Sequence, residues 1–458
     1  MKKIVVKFGG SNLKTREDIQ KIVSTVKLYN RPLVIVVSAF YGITNYLTDG
    51  IRTVRRDDAY ITEMIGYLKN MKRETIEDNI DDPDQKEEAY RLIRERLDQV
   101  ERNLLGVHYI GDIPNFIEDR ILSYGERLSS LLLALILKSK GIDAQEMLPE
   151  DMGLVTDGEF SNGTINFSKS TAPVAKALAE DKIYVVPGFY GISEEGKVTL
   201  LGRGGSDYSA AGIARCVDAE SLDIWKDVDG YMTADPKMVP SAERVDSLSY
   251  TEAAELSYFG AKILHPRTVE PLEQLQIPVR IFNIDGPKDK LTPLSSIGPD
   301  SINTGDTAPK SVTYSDDFSI LKVNGPGVGI KPGILAKLTE TLDRYQVNIK
   351  SVVTSQTSIN FYLESADLER AVKSIQNVKE QAIIKAQGIS DMSIVSLVGT
   401  GIVHEPEAAH RMLKALAQED IHTQIVSLGA SDVAAYVVVK QEDKEKAVKA
   451  VHKEFFES

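Results

Sequence analysis

The chain of 458 residues is poor in cysteine, and its acidic residues outnumber its basic ones. The single cysteine, Cys216, excludes an internal disulfide and a cysteine-rich metal site, and the small residues around it are typical of an inert, packed thiol. With 54 Lys and Arg against 67 Asp and Glu, the net charge of −13 argues against nucleic-acid and anionic-membrane partners. It does not argue against an anionic substrate, because a few local cations can dominate one site.

Long apolar runs are also lacking. The longest, "LLLALIL", is too short to span a membrane, and the opening "MKKIVVKFGG" has too short an apolar run for a signal peptide. Together with the lack of disulfides, these features predict a protein of the reducing cytoplasm.

Several well-defined catalytic signatures are missing. The sequence has no "GxxxxGK[ST]" P-loop, no protein-kinase "HRD" and "DFG" set, no "GxSxG" and no "HExxH". The stretch "VNGPGVGIKPGILAKL" begins like a dinucleotide fingerprint, but Ile330 stands where the third glycine is needed and Lys350 where an acidic ribose ligand is expected. Any chemistry must therefore use glycine loops, cations and carboxylates.

The order of apolar and polar segments predicts three kinds of region. Up to residue 284, strand and helix patterns alternate, which favours a mostly parallel sheet with helices on both faces. Residues 285–316 are rich in Gly, Pro, Ser, Asp and Thr and are expected to form a linker. Beyond them, "DLERAVKSI" and "DKEKAVKAV" recur 76 residues apart (443 − 367) in similar surroundings, which predicts two βαββαβ modules over 317–388 and 389–458.

Two glycine-rich stretches are candidates for anion binding. "KFGGSN" places Lys7 at the end of an apolar strand, where a buried charge needs a negative partner, although a plain tight turn with a solvent-directed lysine explains the pattern too. "LLGRGGSDYSAAGIA" offers the planar fork of Arg203 to a carboxylate or phosphate. Its plainer interpretation makes Asp207 a helix N-cap and Arg203 a solvated loop residue.

A third stretch, "IWKDVDGYMTADPK", follows a predicted strand. Its acidic residues and Lys237 surround Gly230, a pattern that suits the ribose and phosphates of a polar ligand. A surface turn explains it equally well, and a calcium loop is disfavoured because the EF-hand spacing and terminal glutamate are missing.

Taken in order along the chain, six stretches resemble the motifs of the aspartate kinase family. "KFGGSN" is similar to its "KFGGTS", "SAFYGITN" to "S…GxTN", "LSYGERLS" to "GExxS", "GRGGSDYSA" to "GRGGSDxTA", "WKDVDGYMTADPK" to "TDVDGhhTADPR", and "ELSYFGAKILHPRT" to "ELAxxGAKVLHPRT". The resemblance implies an αβα-sandwich kinase domain of the amino-acid kinase fold, followed by two regulatory ACT modules of the ferredoxin-like type. The length leaves no room for a fused dehydrogenase, so a monofunctional enzyme is expected.

The implied reaction is phosphoryl transfer from ATP with Mg²⁺ to the β-carboxylate of L-aspartate, giving 4-phospho-L-aspartate, the first step of lysine, threonine and methionine biosynthesis. Because the attacking carboxylate is already ionised at neutral pH, no general base is needed. What the reaction needs is in-line positioning of two anions and neutralisation of the transferring group.

The resemblance also implies roles for individual residues. Lys7 and Lys262 would bracket the phosphates, so the transferring phosphoryl group would be the partner of Lys7. The predicted catalytic residues are Lys7, Lys262 and Asp207. The predicted substrate-binding residues are Thr44, Glu126, Arg203 and Ser206, with Arg203 on the α-carboxylate and Glu126 on the α-ammonium. The predicted nucleotide-binding residues are Gly9, Gly10, Ser11, Lys226, Asp227, Gly230, Asp235 and Lys237. Magnesium would be held largely by ATP oxygens, with no dedicated metal site in the protein.

Three residues depart from the family pattern. Asn12 replaces the serine that usually ends the first motif, Lys226 stands where a small hydroxyl residue is common, and Lys237 replaces a common arginine. These departures concern the nucleotide contacts more than the reaction itself.

The paired modules imply regulation by an end-product amino acid, usually lysine or threonine, and assembly into a homodimer or larger oligomer through the modules. Positions that match the effector site are Lys331, Gly333, Ile349, Lys350, Ser351, Ser355 and Gln356. Lysine-sensing members often carry carboxylates where this chain has Lys350 and Gln356, so threonine, another effector or none stays open. A plain strand with alternating exposed polar residues also explains "NIKSVVTSQ".

Two other functions compete with this interpretation. One is a kinase of the same fold acting on another acidic amino acid or on a nucleotide. Arg203 and Glu126 together favour an α-amino acid as the substrate. The other is a non-catalytic amino-acid sensor, in which loss of Lys7, Asp207 or Lys262 would be expected; all three are present.

Overall fold

The computed structural model describes residues 2–261, 263–286, 291–299, 309–378, 383–402 and 406–457. The chain divides into two compact units, each continuous in space but not in sequence. The first unit comprises Met1–Tyr231, Arg244–Ser257 and Lys262–Thr304, and the second comprises Met232–Glu243, Tyr258–Ala261 and Gly305–Ser458.

Strands and helices alternate up to residue 298. The strands are β1 Ile4–Phe8, β2 Leu33–Val37, β3 Ala144–Glu146, β4 Ile183–Pro187, β5 Tyr190–Ile192, β6 Val198–Leu200, β7 Ser221–Lys226, β8 Tyr231–Met232, β9 Arg244–Val245, β10 Ser247–Ser249, β11 Val279–Asn283 and β12 Ser295–Gly298. The helices are α1 Arg16–Tyr29, α2 Ile43–Val54, α3 Ala59–Asn79, α4 Pro83–Ile110, α5 Asn115–Ser139, α6 Pro149–Met152, α7 Phe167–Ala177, α8 Gly205–Cys216, α9 Tyr250–Tyr258 and α10 Glu270–Glu273.

An eight-stranded sheet in the order β10-β12-β11-β7-β1-β2-β4-β3 forms the centre of the first unit. Its neighbouring strands are parallel except for β11 and β12. Every residue of β1 and β2 is buried, as the continuous apolar runs predict for strands covered on both faces. The predicted mostly parallel α/β fold is confirmed.

The central strand β1 determines where a ligand can bind. It lies between β2 and β7 and is parallel to both: the chain continues from β1 to β2 on one side and reaches β7, on the other side, only later in the sequence. Parallel sheets open a crevice at such a point, just beyond the carboxyl ends of the strands. Lys7 lies near this end of β1.

The second unit contains two four-stranded sheets. Its strands are β13 Ser311–Ser315, β14 Ser319–Asn324, β15 Ser351–Thr354, β16 Ser358–Leu363, β17 Lys385–Ile389, β18 Met392–Val398, β19 Ile425–Ser427 and β20 Ala434–Lys440. Its helices are α11 Ile334–Arg344, α12 Leu368–Gln376, α13 Pro406–Gln418 and α14 Lys444–Phe456. The strand orders are β15-β16-β14-β17 and β13-β18-β20-β19.

The two sheets differ in how they are completed, and this differs from the outline that the sequence suggests. The first has the predicted βαββαβ order from β14 to β17, whereas the second runs from β18 to α14 and takes its fourth strand, β13, from upstream of the first. The segment 285–316, expected to be a linker, therefore contains β12 of the large sheet and β13. Pairing with β13 covers an edge of β18 that would otherwise expose unpaired backbone groups.

Within the described part of the chain, no helix combines the length and the apolar character needed to cross a membrane.

Candidate functional site

A cleft of about 650 Å³ opens in the first unit beyond the carboxyl ends of β1 and β2. Its walls also include the segment before α2, the middle of α5 and the first turn of α8. The structure brings together in these walls the predicted residues Lys7, Gly10, Thr44, Glu126, Arg203, Ser206 and Asp207.

Lys7 has a negative partner inside the protein. The residue is 5% exposed, and its Nζ lies 2.5 Å from Oδ1 of Asp207 in the first turn of α8. Burial lowers the pKa of Lys7, and the carboxylate of Asp207 opposes that shift. The charge that the sequence places at the end of β1 is therefore paired before any ligand arrives.

Asp207 has a second cation on its other oxygen. The Nζ of Lys226, at the end of β7, lies 3.3 Å from Oδ2 of Asp207 and also donates to the carbonyl of Ile263. Burial alone would raise the pKa of Asp207, but the ammonium groups of Lys7 and Lys226 lower it to about 2. Asp207 is therefore an anion throughout the physiological pH range.

Glu126 is the opposite case, a buried carboxyl group with an incomplete set of partners. It lies on α5, is 3% exposed, and accepts a hydrogen bond of 3.4 Å from the hydroxyl of Ser206 on Oε1. Its Oε2 has no hydrogen-bond partner among the described residues. Burial raises the pKa of Glu126 to about 8, against the opposing effects of the Ala39 backbone, Ser206 and Lys7. The arrangement suits a cationic ligand group.

The loop before α8 requires glycine next to Arg203. Gly204 has φ +70°, and a Cβ on it would lie 2.3 Å from the Cβ of His265. Only glycine accepts both the left-handed backbone and the close approach. The turn places Arg203 on the wall of the cleft and begins α8 two residues later, with Asp207 in its first turn.

The predicted nucleotide-binding residues are divided between the two units. Gly9, Gly10, Ser11, Lys226, Asp227 and Gly230 lie in the first unit. There the hydroxyl of Ser11 donates to Oδ1 of Asp227 at 3.0 Å, which joins the ends of β1 and β7. Of this group, Gly10 lines the cleft described above, and the others do not.

The remaining two, Asp235 and Lys237, lie in the second unit. Asp235 accepts hydrogen bonds from the hydroxyl of Tyr314 at 3.2 Å and from the backbone N–H of Lys237 at 2.9 Å. Lys262, the other predicted catalytic lysine, lies outside the described residues.

Asn12, a departure from the family pattern, has a structural position. It is buried, and its Nδ2 donates to the carbonyl of Trp225 at 2.8 Å. The side chain thus ties the turn after β1 to the end of β7.

Two residues that sequence reasoning missed shape the walls of the cleft. Asp119, buried on α5, accepts hydrogen bonds from the N–H groups of Ser161 at 2.9 Å and Leu200 at 2.8 Å, both cleft-lining residues. Arg267 donates to the carbonyl of Leu201 at 3.0 Å. Arg267 stands in the "HPRT" stretch and was therefore visible as part of a motif, whereas Asp119 resembles any other charged helical residue.

The predicted effector residues lie in or next to the β15-β16-β14-β17 sheet of the second unit. Lys331 and Gly333 lie just before α11. Ile349 and Lys350 lie just before β15, which begins at Ser351. Ser355 and Gln356 form the turn between β15 and β16. The loop before α11 touches this turn, since a Cβ on Gly329 would lie 1.8 Å from the carbonyl oxygen of Ser355. The Nζ of Lys350 donates to the carbonyl of Asp317 at 2.8 Å.

Metal-ligating side chains do not cluster in the described part of the chain, where no group of three or more His, Cys, Asp or Glu residues could hold an ion. The cleft walls carry the ion pair of Lys7 and Asp207, the carboxyl of Glu126 and the guanidinium of Arg203.

Comparison with known proteins covers the whole chain. The profile of the Amino acid kinase family matches residues 2–283, and that of an ACT domain matches 321–378 and 395–455. The bifunctional aspartokinase/homoserine dehydrogenase of Buchnera aphidicola is 29% identical over 99% of this chain, and aspartokinase 1 of Arabidopsis thaliana is also 29% identical over 99%. The chain spans 56% of the length of the first relative and 80% of the second.

Solved structures give the same result for the fold. The aspartate kinase of Clostridium acetobutylicum superposes with a TM-score of 0.75 at 25% identity, covering 99% of this chain and all of the other. Aspartokinase III of E. coli, in complex with aspartate and ADP, superposes with a TM-score of 0.81 at 24% identity, covering 99% of each chain.

Proposed function

Because the chain belongs to the amino acid kinase family, we propose that it is an aspartate kinase, which transfers the γ-phosphoryl group of ATP to the β-carboxylate of L-aspartate. The observation that carries the proposal is the convergence of Lys7, Asp207, Glu126 and Arg203 on one cleft. The names of its relatives and of the superposed structures support the same reaction.

The cleft suits an amino acid with a second carboxylate. Arg203 is assigned the α-carboxylate, because a guanidinium pairs with a carboxylate through two parallel hydrogen bonds. Glu126 is assigned the α-ammonium, which would satisfy Oε2 and lower the pKa of this carboxyl group again. Thr44 and Ser206, also in the walls, complete the proposed contacts.

The transfer step depends on charge more than on proton movement. The β-carboxylate of aspartate attacks as an anion, so the protein must hold two anions in line and neutralise the group that moves between them. Lys7 and Lys262 are the proposed cations. Asp207 keeps Lys7 in place and ionised, because a buried ammonium without a carboxylate tends to lose its proton.

The nucleotide is proposed to extend from the cleft toward Ser11, Asp227 and Gly230, with Asp235 and Lys237 as predicted further contacts. Mg²⁺ is expected with ATP. It is proposed to be held largely by the phosphate oxygens of the nucleotide, as is usual for this ion.

Regulation is proposed for the second unit. Residues 317–388 and 389–458, with β13 added to the second group, would act as ACT modules that bind lysine or threonine and join two copies of the chain in the cytoplasm. The hydrogen bond from Lys350 to the carbonyl of Asp317 holds this side chain but leaves its positive charge, so threonine or another effector stays open beside lysine. Inhibition assays with each amino acid distinguish the two effectors.

The reaction is tested by trapping the acyl phosphate with hydroxylamine, with L-aspartate, L-glutamate and N-acetyl-L-aspartate offered in parallel. We expect hydroxamate from aspartate, little from glutamate, and little from the N-acetyl compound, which lacks the ammonium proposed for Glu126. Product from glutamate alone would move the assignment to another acidic amino acid. ATP binding without product from any acceptor would favour a non-catalytic sensor.

A further inference from the structure

Lys226 ends strand β7, beside the cleft. Its backbone belongs to β7, whose residue Trp225 is paired with Phe8 of β1, and its carbonyl accepts from the N–H of Ile284 at 2.9 Å. The side chain is mostly buried and ends on Oδ2 of Asp207. Lys7 and Asp207 line the cleft, whereas Lys226 does not.

The formal charges show what this second lysine adds. One lysine and one carboxylate make a neutral pair, which offers little net attraction to an approaching phosphate. Lys7, Lys226 and Asp207 together carry a net charge of +1 (2 − 1). The surplus lies where the proposed reaction brings two anions together.

The two lysines also fix the carboxylate in orientation. Lys7 occupies Oδ1 and Lys226 occupies Oδ2, so the carboxylate cannot rotate without breaking one contact. The ammonium group of Lys7 lies 2.5 Å from Oδ1 of Asp207 in this ion pair. A fixed Asp207 therefore keeps the ammonium group of Lys7 in one place.

We propose that Lys226 is a positioning residue for phosphoryl transfer, which acts through Asp207 to orient Lys7 and supplies the surplus charge of the cluster. The role rests on the proposed function. It differs from the nucleotide contact that the sequence suggests for Lys226, since the Nζ of this residue already contacts Asp207 and donates to the carbonyl of Ile263.

The kinetic test compares Lys226→Met, which removes the charge at similar length, with Lys226→Arg, which keeps it. Lys69→Met, the same change on an exposed face of α3, is the control. For Lys226→Met we expect kcat in the hydroxylamine assay to fall about 10- to 100-fold, as for the loss of one hydrogen bond to a charged group, with KM for aspartate within about twofold. Lys226→Arg should recover most of the rate.

A pH profile separates positioning from a merely structural role. The titratable groups that face Lys7 among the described residues are Asp207, Lys226 and Glu126, and the charge of Lys226 lowers the pKa of Lys7. In Lys226→Met, the alkaline limb of kcat should therefore move to higher pH. An unchanged kcat with an unchanged alkaline limb of the pH profile would overturn the proposal. A change confined to a higher KM for ATP would instead assign Lys226 to nucleotide binding and also overturn it.

A double-mutant cycle measures the energetic coupling between Lys226 and Asp207 from unfolding free energies, without an activity assay. In urea unfolding, Lys226→Met should destabilise the wild type at least twice as much as it destabilises Asp207→Asn. Equal destabilisation of the two backgrounds would overturn the proposal whatever the substrate is. If Asp207→Asn does not fold, the kinetic and pH comparisons decide.

Failure of the proposed function and failure of the role of Lys226 give different results in the hydroxylamine assay. A wild type that forms no acyl phosphate contradicts the proposed function, whereas an active wild type with an equally active Lys226→Met contradicts only the role of Lys226.

Discussion

Two buried lysines of the first unit, Lys7 on β1 and Lys72 on α3, have very different surroundings. Lys7 is 5% exposed and forms an ion pair with Asp207, whereas Lys72 is 0% exposed and its Nζ has no hydrogen-bond partner among the described residues. The Nζ of Lys72 lies 3.2 Å from the ring centre of Phe40, a cleft-lining residue. Burial lowers the pKa of both lysines, and for Lys72 it acts unopposed.

The difference shows what keeps a buried amine charged. At Lys7 the carboxylate of Asp207 stabilises the ammonium form, which a phosphate site needs. At Lys72 the ring face of Phe40 is the contact, and the amine is driven toward its neutral form. Burial alone therefore does not mark a catalytic lysine; the partner does.

Removing the partner of Lys7 should have the largest effect. Asp207→Asn leaves Lys7 and Lys226 buried without a carboxylate, and breaking a buried ion pair in this way costs about 3–5 kcal/mol of unfolding free energy. Chemical denaturation and the hydroxylamine assay measure the loss of stability and rate. Wild-type stability in this variant would show that the pair is not energetically coupled to the fold.

Glu126 extends the comparison to a buried acid whose proposed partner is the substrate. Its pKa of about 8 means that the free enzyme holds a proton there at neutral pH, so kcat/KM for aspartate should rise as pH passes through about 8. Glu126→Gln should lose this rise and about 10- to 100-fold in kcat/KM, as expected for one hydrogen bond to a charged group. A variant that keeps the wild-type pH profile would remove Glu126 from the substrate site.

Lys72→Met should be the gentlest change and should stabilise the protein. Replacing an unpaired buried amine with an apolar group of similar shape is expected to raise the unfolding free energy by about 1–3 kcal/mol near neutral pH. Because the pKa of Lys72 is lower in the folded state than the ordinary 10.5, the unfolded chain binds more protons and wild-type stability rises with pH.

The advantage of Lys72→Met should therefore shrink as pH approaches 10.5, and thermal unfolding at several pH values measures it. Lys69→Met, on the exposed face of the same helix, should show no such trend. A destabilised Lys72→Met would mean that the contact with Phe40 outweighs the cost of burying the amine.

Sequence patterns predicted the parallel sheet and the repeated modules, because local apolar periodicity carries that information. They did not predict β13, because its partner β18 lies some 80 residues further along the chain and its surroundings are rich in linker-type residues. The need of Lys7 for a negative partner was visible from burial, but the choice of Asp207, 200 positions away (207 − 7), depends on tertiary packing.

Other features had only a partial signal in the sequence. Lys72 lies four residues after Leu68 and four before Ile76, so helical spacing places it on the buried face that Lys69 avoids, but its complete burial depends on tertiary packing. Asp235 and Lys237 belong to one continuous motif with Asp227, yet the boundary between the two units passes through that motif at Met232. Motif spacing alone does not reveal such a boundary.

The most direct test of the central claim is the rate of acyl-phosphate formation from L-aspartate and ATP in Lys7→Met and Lys72→Met, compared with wild type. We expect Lys7→Met to lose about 100- to 1,000-fold in kcat, the range for removing one electrostatic stabiliser of a transition state, while Lys72→Met keeps the wild-type rate. Folded Lys7→Met with an undiminished rate would contradict the assignment of Lys7 to the transferring phosphoryl group.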